Sequence, residues 1–138
     1  MMNIRHAGIL VSNLPKAIYF YVDLLGFHVK DQREERGAWI DEIFQKTDLK
    51  ILTIKFEEGL ELIVIKEFRP IKWIDFKLYD VGISHIAFTV KNLHPLLKKL
   101  QEAQIPYISS VKNDRDNRRE SVFCKDFDGN YLELVEEH

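Results

Sequence analysis

The sequence has a single cysteine, Cys124, among its 138 residues. That excludes an internal disulfide framework and fits a reducing compartment. Cys124 lies in the apolar stretch Ser121-Val122-Phe123-Cys124, where a free cysteine is expected to serve as a small buried hydrophobe and not as a nucleophile. Long apolar runs are also missing. None follows Met1-Met2-Asn3-Ile4-Arg5, so neither a signal peptide nor a membrane span is expected, and a cytoplasmic location is. Charge of one sign is missing as well: the formal net charge is −2, which gives no general electrostatic reason to expect nucleic acid or an anionic membrane as partner. Arg115, Arg118 and Arg119 form a small basic cluster, interleaved with Asp114, Asp116 and Glu120. It reads as a solvated loop, or as a loop that meets an anionic substrate.

What is present is the composition of a soluble globular protein, 46% apolar and 30% charged. The length suits one ordinary domain, residues 1–138, or two half-size modules sharing a core. The chain repeats itself. Shifted by 79 positions, Ile4 falls on Ile83, His6 on His85, Val11 on Val90, Asn13 on Asn92 and Leu14 on Leu93. Each half also ends on a Leu-Glu-Leu strand, Leu60-Glu61-Leu62 and Leu132-Glu133-Leu134. Two repeats are too few for a solenoid, so a paired two-module domain follows.

Each module reads as a strand, a helix and three further strands, an α+β pattern of paired βαβββ units. In the first, 3–67, alternation predicts a strand over 3–11 and a helix over 15–25. Pro15 suits that helix's first turn, and Gly26 its C-terminal cap. Strands are predicted over 27–32, 50–57 and 60–67, with a turn at Glu57-Glu58-Gly59. In the second, 83–138, they are predicted over 83–90, 107–111, 119–125 and 130–136, with a helix near 93–103. Asp128-Gly129 signals a hairpin before the last strand. Residues 68–82 read as a linker whose Trp73, Phe76 and Tyr79 suit a covering role.

Four residues stand out from the apolar runs around them: His6, Glu61, His85 and Glu133. Taken singly, a strand histidine is more often a satisfied core residue and a strand glutamate more often faces solvent. Four of them, in pairs related by the repeat, are hard to explain that way. Side chains alternate across a strand. His6 therefore shares a face with Ile4, Gly8 and Leu10, and His85 with Ile83, Ala87 and Thr89. Glu61 lies opposite Leu62 and Val64, and Glu133 opposite Leu132 and Leu134. Two imidazoles and two carboxylates suit one divalent metal ion in a sheet-lined cavity, and the carboxylates would offset its charge. Zn, Ni, Co, Mn and Mg all tolerate such mixed N/O sites, so the ligands do not choose among them.

From Ile4 to Glu136 the sequence resembles the vicinal oxygen chelate superfamily, which includes glyoxalase I, methylmalonyl-CoA epimerase, extradiol dioxygenases and bleomycin or fosfomycin resistance proteins. The resemblance rests on His6-Ala7-Gly8-Ile9-Leu10-Val11-Ser12-Asn13-Leu14, Phe20-Tyr21, Leu25-Gly26-Phe27, Gly82 to Val90 and Asp126-Phe127-Asp128-Gly129-Asn130-Tyr131-Leu132-Glu133-Leu134. Phe127 stands where the family commonly has proline. The resemblance implies paired modules closing around a metal, and homodimers are frequent among relatives. A carboxylate at Glu61 sets the chain apart from the two-His, one-carboxylate dioxygenases and from fosfomycin-type enzymes, and the full ligand set from bleomycin-sequestering relatives. It fits glyoxalase I and the epimerases, in which a metal polarises a substrate carbonyl and a carboxylate removes a neighbouring proton.

The same resemblance makes Glu133 the base, detaching from the metal as substrate binds, and points to Lys50 for the second acid or base, where epimerases carry a carboxylate. Leu10 and Ile65 occupy positions where glyoxalase I proteins often carry arginine and asparagine for glutathione. The segment Glu35 to Asp41 and the linker are similar to uncharacterised relatives, some linked to cyclitol or sugar epimerisation. The expected function is thus a metal-dependent isomerase or lyase of the epimerase type acting on a small-molecule carbonyl substrate. A glyoxalase I-like lyase is the alternative within the class, and a non-catalytic small-ligand or antibiotic binding protein the alternative outside it.

Overall fold

A computed structural model describes residues 1–66, 75–112 and 118–138. The chain divides into two compact units, Met1–Lys72 and Trp73–His138. Each carries a four-stranded mixed sheet. In the first, β1 (Ala7–Leu10), β2 (Val29–Arg36), β3 (Lys50–Phe56) and β4 (Leu60–Ile65) lie in the order β1-β4-β3-β2. In the second, β5 (Ile86–Thr89), β6 (Tyr107–Lys112), β7 (Arg119–Lys125) and β8 (Tyr131–Glu137) repeat that order as β5-β8-β7-β6. The outer pairs β1–β4 and β5–β8 are parallel, and all other pairs are antiparallel. This is the α+β architecture of two βαβββ modules that the sequence predicts.

A helix follows the first strand of each unit. In the first unit Asn13 starts α1 (Leu14–Ile18), its side chain accepting the Lys16 N–H at 3.0 Å, with Pro15 in the first turn. The helix continues as a π-helical segment over Tyr19–Leu24. This differs from the single regular helix expected over 15–25. The wider turn accommodates two consecutive aromatics, Phe20 and Tyr21, both wholly buried and edge-to-face at 4.9 Å. Gly26 ends it with φ +77°, a conformation that costs glycine little. Tyr21 and Phe27 meet Phe56 of β3 at 6.1 and 5.4 Å, so the helix covers the sheet face on which Phe56, Ile54, Leu60 and Leu62 lie.

In the second unit α3 (Leu93–Glu102) buries Leu93 and Leu100. Asn92, the repeat partner of Asn13, makes no side-chain cap there. Instead Glu136, reaching in from β8, accepts the Leu93 N–H.

The sequence reading missed one helix. α2 (Ala38–Phe44) lies between β2 and β3, and β2 itself runs to Arg36, past the expected residue 32. Gly37, with φ +120°, opens α2 without a side-chain cap, and the helix has only two turns, so neither a cap signal nor a long apolar period marks it. Its buried Ile40 and its Phe44 pack with Leu49, Ile51, Ile63 and Ile65. The Asp41 carboxylate then accepts the N–H groups of Asp48 and Leu49 at 3.1 and 3.0 Å, holding the return into β3. The predicted hairpin at Asp128-Gly129 is present: the buried Asp126 carboxylate accepts N–H groups of Asp128 and Asn130, and Gly129 has φ +83°.

Trp73, Asp114, Arg115, Asp116 and the first part of the expected linker lie outside the described residues. Among those described, Tyr79 is exposed, and no helix is long and apolar enough to cross a membrane.

Candidate functional site

The expected strands 3–11 and 83–90 are shorter in the structure, and the reason places both histidines. β1 is a ladder strand only where β4 runs beside it. β4 starts at Leu60, after the turn at Gly59, so Ala7 is the first paired residue, its N–H donating to the Gly59 carbonyl at 3.0 Å. His6 is left one residue ahead of the ladder. β5 likewise starts at Ile86 against Leu132, leaving His85 one residue ahead. Freed of ladder geometry, each imidazole turns to the glutamate of the neighbouring parallel strand. His6 Nε2 lies 3.0 Å from Glu61 Oε2, and His85 Nε2 lies 3.2 Å from Glu133 Oε2.

Each unit thus builds the same pair at repeat-related positions. In the first, Gly8 is level with Glu61 on β1 and Lys55 is level with it on β3. The Glu61 face continues through Ile63 and Ile65, which α2 overlies with Ile40 and Phe44. Glu61 itself is 8% exposed. In the second, Ala87 and Phe123 are level with Glu133, and the Phe123 ring meets the His85 ring edge-to-face at 4.9 Å. Ser84 Oγ lies 2.6 Å from His85 Nδ1. With the Nδ1 proton donated to that hydroxyl, Nε2 presents its lone pair on the Glu133 side.

Proximity of a histidine to a glutamate does not alone single these pairs out. His28–Glu58 and His94–Glu120 approach as closely, at 3.3 and 3.1 Å. What distinguishes His6–Glu61 and His85–Glu133 is that they recur at equivalent points of the repeat, on the sheet face turned away from the α1 and α3 cores. Glu120, by contrast, shares the core face of β7 with Val122 and Cys124.

The donor separations are compatible with a shared metal as well as with direct hydrogen bonds. At metal–ligand distances of about 2.0–2.2 Å, adjacent donors stand roughly 2.8–3.6 Å apart, and both pairs fall in that range. Among the described residues no group of three or more His, Cys, Asp or Glu residues that could hold a metal assembles, and each pair by itself offers two donors.

Lys50 stands elsewhere. β3 and β4 pair without a bulge from Ile51↔Ile65 to Lys55↔Glu61. Lys50 therefore alternates with Ile51 onto the other face, five residues from the position beside Glu61. The structure does not bring it to the His6–Glu61 pair. Lys55, which the sequence reading passed over, occupies the place level with Glu61, and only the register of the hairpin reveals it. Leu10 is exposed on the His6 face, while Ile65 is buried under α2. Cys124 is buried on the core face of β7, and burial pushes its thiol up to about 12, leaving no nucleophile at neutral pH.

Comparison with known proteins agrees with the fold. Residues 3–134 match the family described as Glyoxalase/Bleomycin resistance protein/Dioxygenase superfamily. The chain is 30% identical over 139 residues to the uncharacterized protein YwkD of Bacillus subtilis, with 99% of this chain and 98% of that protein covered. Among solved structures, a glyoxalase family protein of Bacillus cereus superimposes with a TM-score of 0.83 at 17% identity, covering 99% of this chain and 95% of the other. The trypanothione-dependent glyoxalase I of Leishmania major does so with a TM-score of 0.65 at 22% identity, covering 99% and 88%.

Proposed function

Because the chain belongs to the glyoxalase/bleomycin resistance protein/dioxygenase superfamily, we propose that it is a divalent-metal-dependent isomerase or lyase that moves a proton next to a substrate carbonyl, in the manner of an epimerase. His6, Glu61, His85 and Glu133 would hold the metal. The observation that carries this reading is the recurrence of a His–Glu pair, at 3.0 and 3.2 Å, in both copies of the repeat. Neither pair alone supplies enough donors for a stable site, so the proposal assigns both pairs to one ion. When bound, the ion supplies Lewis acidity toward the carbonyl oxygen of a small-molecule substrate.

The protein's own groups do the proton transfer. Glu133, with its side chain 21% exposed against 10% for Glu61, is the carboxylate with more freedom to reach a substrate proton, so it would be the base. Glu61, buried between Gly8 and Lys55, stays a ligand. Lys50 is given no part, since its side of β3 faces the α1 core. A glutathione adduct has little support as substrate, because Ile65, which would have to be a contacting polar residue in a glyoxalase I-like enzyme, is packed beneath α2.

The test is Glu133→Gln. Metal analysis of wild type should give one divalent ion per chain, and in deuterium oxide wild type should exchange a carbon-bound proton of a 2-oxo acid, acyl thioester or keto-sugar in a screen. Glu133→Gln should lose exchange by about a hundredfold or more while ligand binding, followed by calorimetry, survives. A wild-type protein that binds a compound and exchanges nothing is a binding protein, and the catalytic reading fails.

A further inference from the structure

Level with Glu61 on its own sheet face stands a lysine, Lys55, without a partner among the described residues. Gly8, Glu61, Lys55 and Asp31 form one row across β1, β4, β3 and β2. The two carboxylates in the row are already engaged. Glu61 meets His6 at 3.0 Å, and Asp31 meets Arg33 Nε at 2.7 Å. Lys55, half-buried between them, makes no hydrogen bond or ion pair among the described residues. The Lys55 ammonium is partly withdrawn from water, and its carboxylate neighbours in the row are shared with His6 and Arg33, so an anion arriving beside it adds a charge-assisted contact. The equivalent place in the second unit, level with Glu133, holds Phe123 and offers no charge.

We propose that Lys55 holds a carboxylate of the substrate, so that the protein acts on small 2-oxo acids or their derivatives. Neighbours on paired strands stand about 5 Å apart at Cβ. An anion held by Lys55 therefore lies a few ångströms from a group held beside Glu61. With its flexible stem, Lys55 is able to serve a carboxylate on the carbon adjacent to a carbonyl. Gly8 contributes by what it lacks: a Cβ there would stand 3.7 Å from Ile63 Cδ1, filling space beside Glu61 that a substrate can use. Lysine suits the task because its charge sits on a flexible stem that reaches the anion without a fixed bidentate geometry.

The proposal rests on the carbonyl-directed reading above, and the experiment separates their failures. Binding of 2-oxobutyrate and of its methyl ester to the metal-loaded protein is measured by calorimetry, beside deuterium exchange at C3 of each. Wild type should bind the acid more tightly than the ester. Lys55→Met should weaken the acid by about tenfold to a hundredfold and leave the ester unchanged, and Lys55→Arg should restore most of the preference. Binding without exchange overturns the catalytic reading and leaves Lys55 in its role. A wild type indifferent to the charge, whether it binds both or neither, overturns the role of Lys55. So does a Lys55→Met protein that keeps the preference.

Discussion

Across the first sheet the residues level with the carboxylate are Gly8, Glu61, Lys55 and Asp31; across the second they are Ala87, Glu133, Phe123 and Ile108. One ladder topology thus carries a polar row in one unit and an apolar row in the other. The histidines differ in the same sense. His85 is held at Nδ1 by Ser84 and against its ring edge by Phe123, whereas the residue before His6 is Arg5 and its side chain is 42% exposed. The duplicated backbone builds a His–Glu pair twice, and the side chains beside each pair differ. The proposed division is a fixed imidazole with a movable carboxylate in the second unit, and a buried carboxylate beside a substrate-binding cation in the first.

The largest effects should come from breaking the equivalence itself. His6→Ala and His85→Ala should each weaken metal binding by more than about a hundredfold, as read by chelator competition. A loss confined to one of them would mean that the pairs do not share an ion. Next comes the support of each imidazole. Ser84→Ala should lower metal affinity by about tenfold to a hundredfold, and Arg5→Ala by much less, because only His85 has its second nitrogen tied down by its neighbour. Equal effects would remove the asymmetry.

The core faces sharpen the contrast further. Cys124 lies in the second sheet, and its folded pKa is raised, so its contribution to stability is whole below the ordinary thiol pKa of about 8.5 and is lost as pH rises above it. Compared with Cys124→Ala in chemical denaturation, wild type should lose about 1 kcal/mol more between pH 7 and pH 9.5. Equal pH slopes would contradict the burial of the thiol. Smallest are the helix starts. Asn13→Ala should cost about 1 kcal/mol through its lost cap, and Asn92→Ala close to nothing, since Glu136 serves α3 instead. Thermal unfolding of the two variants decides this.

The repeat made the architecture legible. Five coincidences between His6's neighbourhood and His85's are enough to imply two copies of one topology, and period-two alternation correctly separates the faces of Glu61 and Glu133 from Leu62, Leu132 and Leu134. Both pairs were legible for the same reason. What the sequence hid depends on pairing across strands. Lys50 and Lys55 are two lysines of one strand, and only the register of β3 on β4 tells which is level with Glu61. The short α2 escaped notice because its two turns carry no capping side chain, and its apolar residues have meaning only once Ile51 and Ile65 are seen beneath them.

That short helix also sets a scale. Thirteen residues join β2 to β3, against six joining β6 to β7, and the extra length is spent on α2. Glu61 and Ile65 are four residues apart on β4, or about 13 Å along the strand. A molecule anchored beside Glu61 and lying along this sheet meets Ile40 and Phe44 before it has travelled that far. The longer connection in the first unit thus sets apolar side chains over one end of the Glu61 face, and the connection between β6 and β7 carries no such helix among the described residues.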